Sequence, residues 1–486
     1  FNVDTELKRW LNVGVSANLT RSVQNVTLAD DPEGTIWWAA IQNPVTPVYN
    51  IDGTWGGGDI INGTHFDQDN PVATAMNRGT TSTNTNFFGT VYAEIKLPKG
   101  FSLRNEISYS LGLNNNVAYQ NGADIGTRTL QSKMIDRRSD SYYWALRNYL
   151  NYSRTFGKTT ITGTAGHDAQ LSYYQAINGS KVDLQENILD LNAGSSTKST
   201  WDLGGGRSTW AMESYYARAG VSFDQRYAFS VSFRADGSSN FGPNNKWGYF
   251  PGASFGWSVI NEKFADPLKG IFSNLKVRVG YGAVGNQNPP SGAPTPTYAS
   301  AVTFWPGPVG FGNSSWLNGI PNPDLSWESV ITSNVGVDAE FLNGKLGVIV
   351  DVYKKTTTDM LLFSTGPSFI GVGDKWNDLK APIGNVGQMT NTGVDLSINA
   401  TAMETADFSW RITAIYSQYK NNLDKLAGEA SSIDGKIYYD GYTVTHTVPG
   451  NPVGSFYGLK TDGLFRTEEE LNASLPIFGY GISQNE

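Results

Sequence analysis

Residues 275–290 read LKVRVGYGAVGNQNPP, and the alternation in the first half of this stretch decides the fold. Within residues 275–283, every second residue is apolar, and the residues between them are basic or glycine. Because side chains alternate between the two faces of a β-strand, this pattern predicts a strand with one apolar and one polar face. Gly280-x-Gly282-x-x-Gly285 also has the spacing of a dinucleotide-binding loop, but such a loop must open a helix. The prolines that follow exclude a helix, so no nucleotide site is predicted.

The same alternation recurs along the whole chain, usually in pairs of segments. Clear examples are residues 1–8, 13–19, 90–97, 103–111, 215–223, 227–235, 335–341, 346–352, 394–400 and 410–416. Many of these segments are longer than the five or six residues of an average strand in a globular protein. The pattern therefore predicts an all-β chain with about fifteen long strands.

The connections between these segments fall into two classes. Tight turns are predicted at residues 98–100, 156–158, 224–226 and 343–344. Long loops are predicted at residues 21–83, 114–140, 173–209, 285–325 and 355–385. A transmembrane antiparallel β-barrel has short periplasmic turns at one edge and long extracellular loops at the other, and its strands carry an apolar outer face. The sequence therefore predicts a transmembrane antiparallel β-barrel.

Aromatic residues lie near the ends of several predicted strands, as in the pairs Tyr215 and Phe223, or Trp410 and Tyr416. This arrangement is typical of the two aromatic girdles of an outer-membrane barrel. The alternative is a secreted or surface β-sandwich that acts as an adhesin or binding protein, because its strands also alternate.

The composition narrows the function classes. The chain has 486 residues, a net charge of −8 and no cysteine. An acidic chain is a poor match for a nucleic-acid partner, and the lack of cysteine excludes thiolate metal sites and a cysteine nucleophile within these residues. The sequence has no apolar run long enough for a transmembrane helix.

Motifs that resemble catalytic or metal sites lack the context that their chemistry requires. Gly252-x-Ser254-x-Gly256 has the spacing of a nucleophile elbow, but Ser254 lies within an alternating segment and not at a strand-to-helix turn. The three histidines, His65, His167 and His446, lack the spacing of a metal site. We therefore predict no catalytic, cofactor or metal site, and we expect that the protein is not an enzyme.

Six aromatic residues in the predicted long loops are candidates for substrate or partner contact. Exposed aromatic rings can stack on sugars or anchor a protein partner, although they can also pack loops against each other. The candidates are Trp37, Trp38, Trp55, Tyr119, Trp305 and Trp316.

Six separated stretches resemble segments of the SusC-like (RagA-like) TonB-dependent transporters. They occur in one order over most of the chain, which makes the combination more specific than any single glycine motif. They are DGSSNFGPNNKWGYFP at 236–251, VGYGAVGNQ at 279–287, NPDLSWE at 322–328, YKKTTTDML at 353–361, NVGQMTNTGVDL at 385–396 and GNPVGSFYGLKTDGLF at 450–465.

The resemblance implies a location and a way of working. Members of the family are 22-stranded barrels with an N-terminal plug in the outer membrane of Gram-negative bacteria. Most carry a segment that contacts the TonB complex. They import oligosaccharides or peptides together with a SusD-like surface lipoprotein. The resemblance thus implies that the chain is embedded in outer-membrane lipid and takes part in nutrient uptake.

About fifteen strands cannot close a 22-stranded sheet. Residues 1–486 are therefore expected to form a partial barrel domain. Further strands are expected before Phe1 and after Glu486, and the plug and the TonB-interacting segment are expected to lie outside these residues.

Overall fold

A computed structural model of the chain contains one large antiparallel sheet of fourteen strands. The structure describes residues 1–26, 34–57, 60–61, 64–65, 69–185, 188–289, 302–306, 313–317, 320–364, 381–426, 432–436, 443–460, 463–470 and 472–473.

The strands of the large sheet are long, and most of them continue well beyond the width of a bilayer. They are β1 (Asn2–Lys8), β2 (Leu11–Val26), β5 (Arg78–Lys96), β6 (Phe101–Gln120), β9 (Lys133–Phe156), β10 (Thr159–Val182), β11 (Asp202–Phe223), β12 (Tyr227–Ser238), β13 (Trp247–Ser258), β14 (Phe272–Asn286), β17 (Glu328–Phe341), β18 (Leu346–Phe363), β19 (Ile383–Glu404) and β20 (Ser409–Leu426).

Smaller elements lie in the connections. They are helices α1 (Thr35–Ile41) and α2 (Pro71–Asn77), and the two-stranded pairs β3 (Ile60–Ile61) with β4 (Thr64–His65), β7 (Ala123–Asp124) with β8 (Thr129–Leu130), β15 (Val302–Pro306) with β16 (Asn313–Leu317), and β21 (Ile433–Lys436) with β22 (Thr443–Thr447). Of the helices in the described residues, none has the length and apolar character that crossing a membrane would require.

Each strand of the large sheet pairs with the next one along the chain, in the order β1-β2-β5-β6-β9-β10-β11-β12-β13-β14-β17-β18-β19-β20. Six connections at one edge, which we call the tight-turn edge, are two to four residues long. They are residues 9–10, 97–100, 157–158, 224–226, 342–345 and 405–408. Asp224 and Gln225 both have positive φ, the conformation that a tight hairpin requires. The four predicted tight turns are confirmed.

The opposite edge, which we call the loop edge, carries the long connections. The predicted loops exist, but the strands run further into them than the sequence pattern indicates. The first connection spans residues 27–77 and not 21–83, and the others begin after Gln120, Val182, Asn286 and Phe363. Polar residues continue these strands because backbone pairing above the membrane needs no apolar face. The placement of Tyr119 in a loop is therefore wrong, since Tyr119 lies in β6 opposite Gly79 and Met134.

The two faces of the sheet differ as predicted. On β12, Phe229, Val231 and Phe233 project to one face and are 41–50% exposed. Ser230 and Arg234 project to the other face, which we call the polar face. The strand register extends the same apolar and polar faces to the neighbouring strands, since Val231 lies opposite Ala219 on β11 and Ala253 on β13. The single continuous sheet with an uncovered apolar face excludes the β-sandwich alternative, in which two sheets bury their apolar faces against each other.

Two rows of aromatic side chains border the apolar face. Near the tight-turn edge, Tyr227 and Phe255 stack with ring centroids 6.5 Å apart. Toward the loop edge, the ring of Tyr215 lies 6.1 Å from that of Trp247. Eight residues separate Tyr215 from Phe223 along β11, which corresponds to roughly 27 Å of strand. This spacing matches an apolar band flanked by two girdles.

One connection at the tight-turn edge is much longer than the rest and was not predicted. Residues 259–271, between β13 and β14, contain two 3₁₀ runs, Val259–Asn261 and Lys263–Gly270. The carboxylate of Glu262 fixes this segment to the sheet. It accepts hydrogen bonds from the Tyr227 hydroxyl, from Trp257 Nε1 at 3.2 Å and from Arg226 Nη1 at 3.0 Å.

Acid should release this segment from the sheet. The hydrogen bond from Tyr227, joined by those from Trp257 and Arg226, lowers the pKa of Glu262 below its ordinary value of 4.5. Because the pKa of Glu262 is lowered in the attached state, the ionised carboxylate stabilises that state at pH values above 4.5. This contribution is lost as the pH falls through the lowered pKa. We expect lower hydrogen-exchange protection for residues 259–271 at pH 3 than at pH 7. Glu262→Gln should abolish the difference, and equal protection at both pH values in the unmodified protein would contradict the prediction.

Candidate functional site

The polar face carries three clusters of charged side chains. The first is centred on Glu106, which accepts hydrogen bonds from Arg104 Nη2 at 3.0 Å and from Arg147 Nη1 at 3.2 Å. The guanidinium of Arg104 lies 3.6 Å from the centre of the Tyr92 ring. The Tyr92 hydroxyl in turn donates to Asp4 Oδ1 at 2.6 Å. This first cluster therefore links four strands, β1, β5, β6 and β9, across the inner surface.

The second cluster lies on β10, β11 and β12. The Tyr216 hydroxyl donates to Asp168 Oδ1 at 3.3 Å, and Arg234 Nη2 lies 3.7 Å from Asp168 Oδ2. Arg234 also donates to Asp236 at 2.7 Å, and its guanidinium lies 5.3 Å from the centre of the Tyr216 ring. Asp168 and Asp236 are both buried, so each acidic group is compensated by a cation or a hydroxyl.

The third cluster is centred on Arg278 of β14. Its guanidinium makes three hydrogen bonds to Asp338, at 2.8, 2.9 and 3.1 Å, and one to Asp351 at 3.0 Å. A guanidinium that bridges two carboxylates in this way is held in a fixed orientation. Asp351 lies opposite Asp395 in the register of β18 and β19, so a further carboxylate projects from the same face.

Glycines allow these side chains to lie flat against the sheet. A Cβ atom at Gly166 would lie 2.5 Å from the Tyr216 ring, and one at Gly393 would lie 2.6 Å from the Tyr353 ring. Gly14 lies beneath the Tyr92 ring in the same way. The sequence pattern does not predict that these tyrosines pair with glycines. Each pair joins positions on different strands, so only the strand register reveals it.

Filling the space at Gly336 should displace Arg278. A Cβ atom at Gly336 would lie 2.8 Å from Arg278 Nη2 and would also meet the Asp351 carboxylate. We expect Gly336→Ala to destabilise the barrel by about 1–3 kcal/mol, as overpacking does elsewhere. Urea unfolding in lipid vesicles measures this cost. Gly282→Ala is the matched control, because a Cβ there would meet open space. Equal destabilisation by both changes would refute the prediction.

A buried core joins several loops to the strands at the loop edge, and we call it the outer-rim core. Its members are Phe241, Phe250, Leu325, Trp327, Leu361 and Ile383. Five of them lie within the stretches that resemble the SusC-like transporters, and Ile383 lies two residues before another such stretch. The segments separated in sequence therefore meet in one cluster.

Hydrogen bonds tie this core together. Trp327 Nε1 donates to the Lys246 carbonyl at 2.8 Å. The Asn385 side-chain amide donates to the carbonyls of Ser326 and Asp359, each at 2.9 Å, and its Oδ1 accepts from the Ser326 amide at 2.9 Å. One asparagine thus joins the segment before β17 to the outer end of β18. The outer-rim core is a rigid part of the loop edge.

The structure describes the side chains of four of the six aromatic candidates, Trp37, Trp38, Trp55 and Tyr119. Trp37 and Trp38 lie in α1, and Trp37 is 44% exposed. Trp55 stacks on Tyr49 with ring centroids 4.6 Å apart and packs against the buried cluster of Ala73, Ile125 and Leu130. This packing favours the alternative role for Trp55, in which it holds two loops together.

The remaining candidates lie on strands. Tyr119 is in β6, Trp305 is in β15 and Trp316 is in β16. The side chains of Trp305 and Trp316 lie outside the described residues. For all six candidates, contact with a substrate or partner stays a prediction.

The motifs that were set aside in the sequence occupy ordinary positions in the sheet. Ser254 is in β13, and its hydroxyl lies 2.8 Å from that of Ser230. His167 pairs with Glu213 at 3.2 Å, and His446 pairs with Asp434 at 2.7 Å, on different parts of the chain. Among the described residues, no group of three or more His, Cys, Asp or Glu side chains is placed to hold a metal ion.

These features define a class of protein, a β-barrel that crosses the outer membrane with its strands. The family model for the TonB dependent receptor-like β-barrel matches residues 26–460. The chain belongs to this family, and within it resembles the SusC-like transporters.

Individual relatives agree with this assignment. The chain is 29% identical over 425 residues to TonB-dependent receptor P39 of Formosa agariphila, which covers 85% of this chain and 38% of that protein. It is 33% identical over 230 residues to TonB-dependent receptor SusC of Bacteroides thetaiotaomicron, which covers 45% of this chain and 21% of SusC. The chain spans less than half the length of the curated relatives it matches.

A solved structure shares the fold. The RagAB peptide transporter superposes with a TM-score of 0.79 at 23% identity, over 96% of this chain and 50% of that chain. The prediction of an outer-membrane barrel of the SusC-like family is therefore confirmed.

Proposed function

We propose that the chain is the barrel portion of a TonB-dependent importer that carries polar oligomers across the outer membrane. The observation that supports this most strongly is the polar face, with its three charged clusters at Glu106, Asp168 and Arg278. A barrel interior lined by charged and hydroxyl groups provides a hydrated path. In this proposal the plug and the TonB-interacting segment belong to parts of a longer receptor outside residues 1–486.

The proposed substrates are oligosaccharides or peptides. Both classes present hydroxyl or amide groups that charged side chains and tyrosines can bind, and both can stack on an aromatic ring. Arg104 and Arg234 provide such charged groups on the inner face, where their guanidinium groups lie over the rings of Tyr92 and Tyr216. The relatives include a protein named for peptide transport, the RagAB transporter, and the receptor SusC.

The proposed partner is a SusD-like surface lipoprotein that caps the loop edge. The outer-rim core supports this proposal, because it gives the loop edge a rigid platform on which a protein could dock. The sequence of the long loops at 21–83, 173–209 and 285–325 is rich in glycine, asparagine, proline and aromatic residues, a composition that suits a protein interface better than a highly charged one would. We expect the contact to exceed about 2,000 Å².

Purification of the full-length receptor from its native membrane tests both points. The receptor would be extracted in mild detergent and examined by native mass spectrometry. We expect a complex with a lipoprotein and, in part of the population, a bound oligomer whose mass identifies it as glycan or peptide. A receptor that is recovered alone at full yield would contradict the proposed partner.

Uptake measurements test transport separately. Cells that carry the receptor should accumulate a labelled oligomer of the class found in the complex, and cells that lack it should not. Arg278→Ala and Arg234→Ala variants that still assemble should take up less. Unchanged uptake in cells without the receptor would contradict the proposed function, even if the lipoprotein complex forms.

A further inference from the structure

Residues 259–271 carry an apolar surface that projects outward at the tight-turn edge. The other described connections at this edge are two to four residues long, whereas this one forms two 3₁₀ runs. Two of its large apolar side chains are open to the surroundings, Phe264 at 65% and Ile271 at 60% exposure. The segment is longer than a connection between two neighbouring strands requires, and it exposes apolar side chains. Exposed apolar surface of this kind marks a site of contact with lipid or with another molecule.

The segment attaches on the apolar side of the sheet. The Phe264 ring lies 6.2 Å from that of Trp257, and Trp257 is opposite Tyr227 and Val277 on the apolar face. The Glu262 carboxylate is held by the side chains of Tyr227 and Trp257 on this same face. Phe264 therefore continues the aromatic row that borders the lipid-facing surface.

In the longer 3₁₀ run, charged and apolar side chains lie on different sides. With three residues per turn, Lys263, Asp266 and Lys269 share one side of the Lys263–Gly270 run, and all three are exposed. Asp266 and Lys269 form an ion pair at 2.6 Å. Ala265 is buried and Leu268 is half-buried, so their side packs toward the protein. Phe264 lies on neither of these two sides.

We propose that residues 259–271 form an interfacial membrane anchor. The segment lies in the phospholipid headgroup layer of the leaflet at the tight-turn edge, with Phe264 in the boundary between headgroups and acyl chains. The charged side meets water and headgroups, which is the arrangement of amphipathic segments that lie in the membrane surface. Because the aromatic row beside it already faces lipid, the membrane is the occupant that continues an existing interface.

Site-directed spin labelling tests the anchor directly. The 486-residue chain has no cysteine, so single cysteines can be introduced without removing others from it. Phe264→Cys and Asp266→Cys variants of the full-length receptor would carry nitroxide labels in phospholipid vesicles. Oxygen, which concentrates in lipid, and a water-soluble nickel chelate would be used as relaxation agents. We expect the oxygen-to-nickel accessibility ratio to be several-fold higher at position 264 than at position 266.

Two reference positions calibrate the ratio. Phe229→Cys reports the lipid-facing belt, and Asp407→Cys reports a tight turn in water. Ile271→Cys provides a second test of the segment if Phe264→Cys does not assemble, and it should also favour oxygen over nickel. The proposal is overturned if the labels at 264 and 271 match the one at 407. It is also overturned if they are shielded from both agents, which would indicate a protein occupant and not lipid.

Discussion

Trp327→Ala should destabilise the loop edge by about 3–5 kcal/mol, the cost of removing a large buried aromatic side chain. Trp327 is 7% exposed, and its ring centre lies 5.2 Å from that of Phe241 and 5.5 Å from that of Phe250. The change would also leave the Lys246 carbonyl without the hydrogen bond from the indole nitrogen. Two losses therefore coincide at one residue, a cavity and one of the two hydrogen bonds that the Lys246 carbonyl accepts, the other coming from the Ser238 amide at 3.0 Å.

The damage should be local. We expect limited proteolysis to cut residues 239–246 and 320–326 much faster in the variant, while the strands of the lipid-facing belt stay protected. Trp10→Ala is the matched control, because Trp10 is 54% exposed at a tight turn and its removal opens no cavity. If Trp327→Ala and Trp10→Ala give the same cutting rates, the outer-rim core does not hold the loops.

Val231→Arg should destabilise the barrel by about 2–4 kcal/mol, the cost of an arginine on the lipid-facing surface near the middle of the bilayer. Val231 is 41% exposed on the apolar face, midway between the aromatic rows. Its neighbours in the register are Ala219 and Ala253, which offer no group to compensate the charge.

The adjacent residue provides the control. Ser230→Arg places the same charge on the polar face, where water and polar groups surround it, and should cost less than about 1 kcal/mol. It would break the contact between the hydroxyls of Ser230 and Ser254. Urea unfolding of both variants in vesicles measures the difference. Equal destabilisation would show that the two faces do not differ in their contact with lipid, and greater destabilisation by Ser230→Arg would show that the faces are reversed.

The strand faces could be predicted from the sequence because lipid imposes a strict alternation. Wherever a strand crosses the apolar band, as at residues 227–235, every second residue is apolar and the period is visible. The strand ends could not be predicted in this way. β9 continues out to Lys133 and β11 begins at Asp202, in polar segments where backbone pairing alone maintains the strand. No apolar period marks these extensions.

Contacts between distant segments could not be predicted from the alternation in the sequence either. The sequence resemblance identified the stretches at 236–251 and 322–328 but not their common role, because the packing of Phe241 on Trp327 depends on the path of the loops. The segment at 259–271 was missed for a related reason. Its 3₁₀ runs are too short to leave a clear helical period, and the Glu262 carboxylate accepts two of its hydrogen bonds from the distant residues Arg226 and Tyr227.

The pairing of tyrosines with glycines ties together positions far apart in the chain. Gly166 can accept a side chain only if the Tyr216 ring leaves its place, whereas a Cβ atom at Gly393 would also lie 2.9 Å from the Gln418 carbonyl oxygen. A change at one member of such a pair therefore demands a compensating change at the other, and related chains should vary at the two positions together. Exchanging Gly166 and Tyr216 together therefore offers a way to alter the contour of the inner wall without disturbing the pairing of the strands.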